Sequence, residues 1–164
     1  AKAIAPVLER AGHTLVSAVD AGHEQATEQA KEQEQEQRQA NRPAVRLKQA
    51  DRAQSDGRSS RARQLYGRVL KQSPGNVEAL TGLGWALIDT GQPQKAISKF
   101  QQAIENNPDH GDAYIGLGMA HRKLGQSREA MKAYDDYLSR FPDGSSSSIA
   151  EYQRDKLRKE LGMN

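Results

Sequence analysis

Residues 77–110 read VEALTGLGWALIDTGQPQKAISKFQQAIENNPDH, and residues 111–144 read GDAYIGLGMAHRKLGQSREAMKAYDDYLSRFPDG. When one stretch is shifted by 34 positions, the two agree in their small, aromatic and proline residues. The matched pairs are Ala79/Ala113, Gly82/Gly116, Leu83/Leu117, Gly84/Gly118, Ala86/Ala120, Gly91/Gly125, Gln92/Gln126, Ala96/Ala130, Phe100/Tyr134 and Pro108/Pro142. This agreement indicates an internal repeat made of two helices and a turn.

A weaker copy of the same pattern precedes these two, over residues 43–76. Its second half keeps the small, aromatic and proline positions, at Gly57, Ala62, Tyr66, Val69 and Pro74. In its first half, Gln49 and Ala50 replace the leucine and glycine of the other copies. We therefore expect a first repeat whose first helix is irregular, because terminal repeats are often atypical.

Glycines recur where helices would have to approach closely or end. Gly84 and Gly118 fall inside predicted helices, where glycine costs about 1 kcal/mol relative to alanine. That cost is explained if another helix packs closely against each position. A second set of glycines stands where a left-handed residue would end the first helix of each pair, and a set of prolines follows the second helix. These are Gly57, Gly91 and Gly125, and Pro74, Pro108 and Pro142.

This pattern resembles the tetratricopeptide-repeat family over residues 43–144, most specifically in the last two copies. The resemblance implies an all-α superhelix of three helix–turn–helix repeats, at 43–76, 77–110 and 111–144. It also implies a non-catalytic adaptor or scaffold that binds a peptide or an amphipathic helix of another protein. In that family the first helices line a concave surface on which the partner binds.

In that family the contacts come mostly from the second, fifth, ninth, twelfth and thirteenth residues of each repeat. Carried over residue by residue, these places include Asp89 and Lys123, and they predict a partner-binding groove at Leu47, Asp51, Thr81, Trp85, Ile88, Ile115, Met119 and Arg122. Tryptophan offers a large rigid anchor and methionine an adaptable one. The alternative, that Trp85 and Met119 only pack between repeats, stays open at this level.

One subclass of the family grips the terminal carboxylates of heat-shock chaperone tails with lysine, arginine and asparagine side chains. The matching places here hold Leu47, Asp51, Gly82, Asp112 and Gly116. The resemblance therefore does not extend to a carboxylate clamp, and an apolar or amphipathic segment suits the groove better.

The flanks of the repeats differ from them in composition. Residues 145–164 begin with four serines and continue with apolar residues at Ile149, Tyr152, Leu157 and Leu161, which predicts a C-terminal capping helix. Residues 1–42 predict an amphipathic helix over 4–19, followed by a Gln/Glu-rich tether that is either an exposed helix or flexible. The 4–19 segment is a candidate for self-association, either by folding back or by exchange between molecules.

Charge is unevenly distributed over the chain. Residues 1–42 carry a net charge of −2, and residues 43–164 carry +5. Residues 43–76 hold 8 basic side chains against two acidic ones, Asp51 and Asp56. A basic surface of this kind admits nucleic-acid contact as a lower alternative. Few aromatic residues are interleaved there for base stacking, which makes nucleic acid an unfavoured partner.

No arrangement of residues indicates catalysis, a cofactor or a metal site. The chain has no cysteine, and its four histidines form no pair at metal-ligand spacing. The TGLG and IGLG stretches lie inside predicted helices and lack the Lys-Ser or Lys-Thr of a phosphate loop. We therefore expect a protein that is not an enzyme and has no cofactor.

A second interpretation is a small secretion-type chaperone that holds a client protein. Three repeats between helical flanks resemble the type III secretion chaperones, although those are typically acidic and this chain is basic. The Ala-, Arg- and Gln-rich composition favours a bacterial source. No apolar run is long enough to span a membrane. We expect a cytoplasmic location and leave a periplasmic one open, because the chain begins with Ala1 and not with methionine.

Overall fold

The computed structural model describes residues 25–38 and 42–163, which form eight helices and no strand. Helix α1 covers residues 25–38. The others are α2 (Pro43–Ser55), α3 (Ser59–Gln72), α4 (Val77–Asp89), α5 (Pro93–Asn106), α6 (Gly111–Lys123), α7 (Ser127–Arg140) and α8 (Ser147–Glu160). The predicted all-α fold class is confirmed. None of the helices in the described residues is long and apolar enough to cross a membrane.

Each of three consecutive helix pairs, α2–α3, α4–α5 and α6–α7, is joined by the same short turn. Gly57, Gly91 and Gly125 have φ angles of +72°, +73° and +71°, a conformation that favours glycine. In each turn the residue after the glycine donates its N–H to a carbonyl five residues back, as Gln92 does to Leu87 over 2.8 Å. This bond satisfies a carbonyl that the helix end leaves without an intrahelical partner.

Aromatic rings seated on glycines hold successive helices together. Phe100 of α5 is fully buried, and a Cβ placed at Gly84 would lie 2.6 Å from its ring. A Cβ at Gly116, in the next first helix, would also collide with that ring. Tyr66 meets Gly82 and Tyr134 meets Gly118 in the same way. The Phe100 ring therefore packs between neighbouring first helices, and Gly84 and Gly116 leave room for it.

The first helix of the first pair differs from the prediction. We expected it to be irregular, but α2 runs unbroken over 13 residues, the same length as α4 and α6. Ala50 stands in the place of Gly84 and Gly118 and is fully buried. Alanine is small enough to keep the helices close, and it is also the best helix former, which explains the regular helix.

The last helix packs on α7, with only two of the four large apolar residues that predicted it on the packed face. Ala150 and Leu157 are buried, and Leu161 is half-buried. Ile149 and Tyr152, which we expected on the packed face, are 55% and 66% exposed. Ser147 and Ala150 complete the packed face with Leu157, at three- and seven-residue steps, and a pattern based on large residues alone does not include them.

Residues Pro43–Asn164 form one compact unit and Ala1–Arg42 another. Within the second of these, the described helix α1 is polar and exposed, with Arg38 paired to Glu34 over 2.7 Å. The segment 4–19, for which the sequence predicts an amphipathic helix, lies outside the described residues.

Candidate functional site

The first helices of the three pairs lie side by side, since α2 contacts α4 and α4 contacts α6. Side chains at the ninth, twelfth and thirteenth places of neighbouring repeats meet on one face of this row of helices. There, side chains of α4 and α6 line a cleft of about 440 Å³. We call it the central cleft, and its lining residues are Trp85, Ile88, Asp89, Met119 and Lys123.

The indole of Trp85 forms one wall of the central cleft. It is half-buried, and it meets the ring of Phe100 edge-on, with centroids 5.5 Å apart and planes at 72°. Phe100 is fully buried between helices, so this contact fixes the indole while one side stays accessible. Met119 and Ile88 are also half-buried. The cleft therefore presents a rigid aromatic surface beside a flexible thioether.

Two carboxylates near the first repeat are held by neighbouring side chains. Tyr66 donates its hydroxyl to Asp51 Oδ1 over 2.8 Å. Burial raises the pKa of the Tyr66 phenol well above its usual value, and the hydrogen bond and negative charge of Asp51 raise it further. Asp89 accepts hydrogen bonds from the amide of Gln54 and from Ser59 Oγ. The bonds to Asp89 link α4 to the first helix pair.

Two basic side chains lie at the other end of the same face. Arg122 and Lys123 lie in the last turn of α6, where positive side chains complement the negative end of the helix dipole. Arg122 donates to Gln153 Oε1 of α8 and lies near the hydroxyl of Tyr134. Burial raises the pKa of Tyr134, and the nearby guanidinium of Arg122 partly lowers it. On the concave face, Asp51 and Asp89 thus lie on the side of the first repeat, and Arg122 and Lys123 lie on the side of α8.

The structure divides the eight predicted groove residues into three groups. Trp85, Ile88 and Met119 meet in the central cleft, and Arg122 stands beside it, half-buried. Leu47 packs half-buried on the first core cluster, and Asp51 is exposed. Thr81 and Ile115 are only 5% and 9% exposed, so they pack between helices and offer little surface.

The two remaining residues of the central cleft were among the places that the family pattern gave, whereas one helix was missed. Asp89 and Lys123 occupy thirteenth places, which the family pattern includes. This helix is α8, which lies in register with α6: Ala150 follows Gly116 by 34 positions. A Cβ at Gly116 collides with Phe100, and Ala150 is fully buried in the cluster that contains Tyr134. The repeat period, carried on past residue 144, would have predicted this placement.

A second concavity of about 300 Å³ lies between α2 and α3. Its lining in the described structure has three arginines and no aromatic side chain: Gln49, Arg52, Ala53, Arg58, Arg61 and Leu65. Arg58 forms an ion pair with Asp56. This is the basic surface that raised the nucleic-acid alternative, and it lacks a ring on which a base could stack.

A family model described as tetratricopeptide repeat matches residues 47–101 and 81–145. No curated protein matches the chain. Among solved structures, the Sgt2 TPR domain from Aspergillus fumigatus is 21% identical, with a TM-score of 0.68, over 73% of this chain and 79% of that one.

Two further similar structures contain a ligand or partner. The first TPR of Spaghetti (RPAP3), bound to the HSP90 peptide SRMEEVD, is 21% identical with a TM-score of 0.69, over 75% of this chain and 95% of that one. The TPR2B domain of yeast Sti1, in a complex with pHsp70, is 19% identical with a TM-score of 0.66, over 71% of this chain and 98% of that one. At these identities the similarity shows a shared fold.

Proposed function

This chain belongs to the tetratricopeptide-repeat family, and we propose that it is a non-catalytic adaptor that binds a peptide or amphipathic helix of another protein along its concave face. The family fold supports this proposal because similar structures hold peptides. The observation that carries it is the central cleft, where Trp85 is fixed by Phe100 yet keeps one side open beside Met119.

The proposed partner is not a free carboxylate tail. The places of the carboxylate clamp hold Leu47, Asp51, Gly82, Asp112 and Gly116. Leu47 packs on the core, and the Tyr66 ring occupies the space that a side chain at position 82 would need. Asp51 and Asp112 are acidic and would repel a terminal carboxylate. The apolar central cleft instead favours an aromatic or aliphatic anchor on the partner.

The proposal is tested with peptides of about 16 residues, selected from a random library against the full chain. Trp85 is the single tryptophan, so its emission reports on the cleft without labelling. We expect bound peptides to shift this emission to the blue and to reduce quenching by acrylamide. Met119→Glu should weaken binding about tenfold or more, because it places a charge in an apolar cleft.

Met131→Glu is the matched control, because Met131 is also half-buried but lies on α7, outside the central cleft. It should bind the selected peptides as the parent does. Thermal unfolding followed by circular dichroism checks that both variants are folded. A folded Met119→Glu variant that binds with parental affinity would show that the cleft is not the binding surface.

Self-association through residues 4–19 is a competing way to fill the groove. Leu8→Glu and Leu15→Glu, made together in the full chain, would then increase the quenching of Trp85 by acrylamide. Light scattering of the same samples distinguishes folding back from exchange between molecules. Unchanged quenching would show that residues 4–19 do not cover Trp85, so that the groove is open to another protein.

A further inference from the structure

The free face of α8 carries two large apolar side chains that nothing in the described structure covers. Ile149 is 55% and Tyr152 is 66% exposed, whereas Ala150 and Leu157 on the packed face are buried. Single exposed apolar residues are common on protein surfaces. Ile149 and Tyr152, however, are three residues apart and therefore adjacent on the helix. They form a small apolar patch on the last helix.

Ile149 lies on the groove side of α8, whereas Tyr152 follows Gly118 by 34 positions and stands at the place where a second helix packs in the preceding repeats. Gln153 accepts a hydrogen bond from Arg122, which borders the central cleft. Ile149 lies four residues before Gln153, so the two share one side of the helix. Ile149 also follows Ile115 by 34 positions and thus stands at a groove place of the repeat pattern. The concave face therefore continues from the central cleft onto α8.

The same end of the groove is positively charged. Arg122 and Lys123 close α6, and Lys156 follows Ile149 by two helical turns on the same side of α8. Among the described residues, none of the three has a carboxylate oxygen within 4.0 Å. A basic partner would be repelled here, whereas carboxylates on a partner would offset the positive field.

From this charge and this apolar surface we infer that the groove binds an acidic amphipathic segment of another protein. Its apolar side chains span the central cleft and Ile149, and its carboxylates face Lys123 and Lys156. The inference rests on the proposed function and adds the sign of the partner's charge. It also makes α8 part of the binding surface and not only a cap.

Two synthetic peptides of about 16 residues test the sign of the charge. They share the same leucine and phenylalanine positions at helical spacing and contain no tryptophan. One carries glutamate and the other lysine at matched polar positions. Titrated into the full chain at low salt, with Trp85 emission as the signal, the acidic peptide should bind about fivefold more tightly or better. Its advantage should shrink at about 0.15 M salt, because salt screens exposed charges.

Substitutions in the full chain assign the effect to this end of the groove. Lys123→Glu and Lys156→Glu should each reduce the advantage of the acidic peptide. Lys95→Glu, the same charge change at an exposed lysine of α5, should leave it unchanged. Ile149→Ala should weaken both peptides several-fold, because it removes shared apolar contact. Circular dichroism checks that each variant is folded.

The outcomes separate the two proposals. If both peptides bind equally and shift Trp85 emission, the groove function stands and the inferred acidic partner is wrong. Tighter binding of the basic peptide would overturn the inference in the same way. If neither peptide alters Trp85 emission, the groove function fails, and the inference fails with it. An Ile149→Ala variant with parental affinity would remove α8 from the binding surface.

Discussion

Gly118 and Gly67 are both glycines inside helices, but their surroundings differ. A Cβ at Gly118 would lie 2.7 Å from two ring carbons of Tyr134, which is fully buried and cannot move aside. At Gly67, in the middle of α3, a Cβ would meet nothing within 4 Å. Helix propensity favours alanine at both positions, so sterics alone separate them.

We predict opposite effects for the two alanine substitutions. Gly67→Ala should raise the free energy of unfolding by about 0.5–1 kcal/mol, the propensity difference. Gly118→Ala should lower it by about 1–3 kcal/mol, because the added methyl group displaces the Tyr134 ring. Urea unfolding followed by circular dichroism measures both. If Gly118→Ala is as stable as Gly67→Ala, the ring does not sit on that glycine.

At the scale of the helix pair, the bond between Tyr66 of α3 and Asp51 of α2 ties two elements together. Because burial and Asp51 raise the pKa of Tyr66, the folded protein holds the phenolic proton more tightly than the unfolded chain does. The stabilisation is complete below the unfolded pKa of about 10. It is lost as the pH rises from there towards the folded pKa.

We therefore predict that the free energy of unfolding falls above pH 10, with Tyr66 contributing at most about 1.4 kcal/mol per pH unit. Tyr66→Phe should cost about 0.5–1.5 kcal/mol at neutral pH, since the hydrogen bond is lost. Above pH 10 the variant should decline less steeply than the parent. Urea unfolding at neutral pH and between pH 10 and 11 gives both slopes, and equal slopes would contradict the raised pKa. Tyr134 is unchanged in both proteins, so its own contribution cancels.

At the scale of the whole molecule, residues Pro43–Asn164 form a linear array. The main contacts join each helix to the next in sequence, and the first helices to one another. Stability in such an array is close to a sum of repeat terms and neighbour interfaces. The middle helices have packed neighbours on both sides, whereas α2 and α8 have them on one side.

We predict that amide hydrogen exchange is slowest in α4, α5 and α6 and faster towards both α2 and α8. The physical reason is that an end helix can open by breaking one interface, whereas a middle helix must break two. Exchange of the full chain, resolved by peptide mass spectrometry, measures this gradient. Equal protection of all helices would indicate that the array opens only as a whole.

The sequence by itself determined the features that depend on local geometry and on its own repetition. Gly57, Gly91 and Gly125 end helices because a positive φ suits glycine. The 34-residue period also places the rings of Phe100 and Tyr134 against glycines at equivalent positions, Gly84 and Gly118. The regularity of α2 escaped prediction because a buried alanine serves there in place of glycine.

Only the tertiary structure decided which groove positions are accessible. Thr81 and Ile115 occupy the same repeat place as Ile149, yet the first two are buried and the last is exposed. Burial of a side chain depends on whether another helix lies over it, and residue type and spacing do not contain that information. For the same reason the central cleft, which needs Trp85 of one helix and Met119 of another, exists only in the packed array.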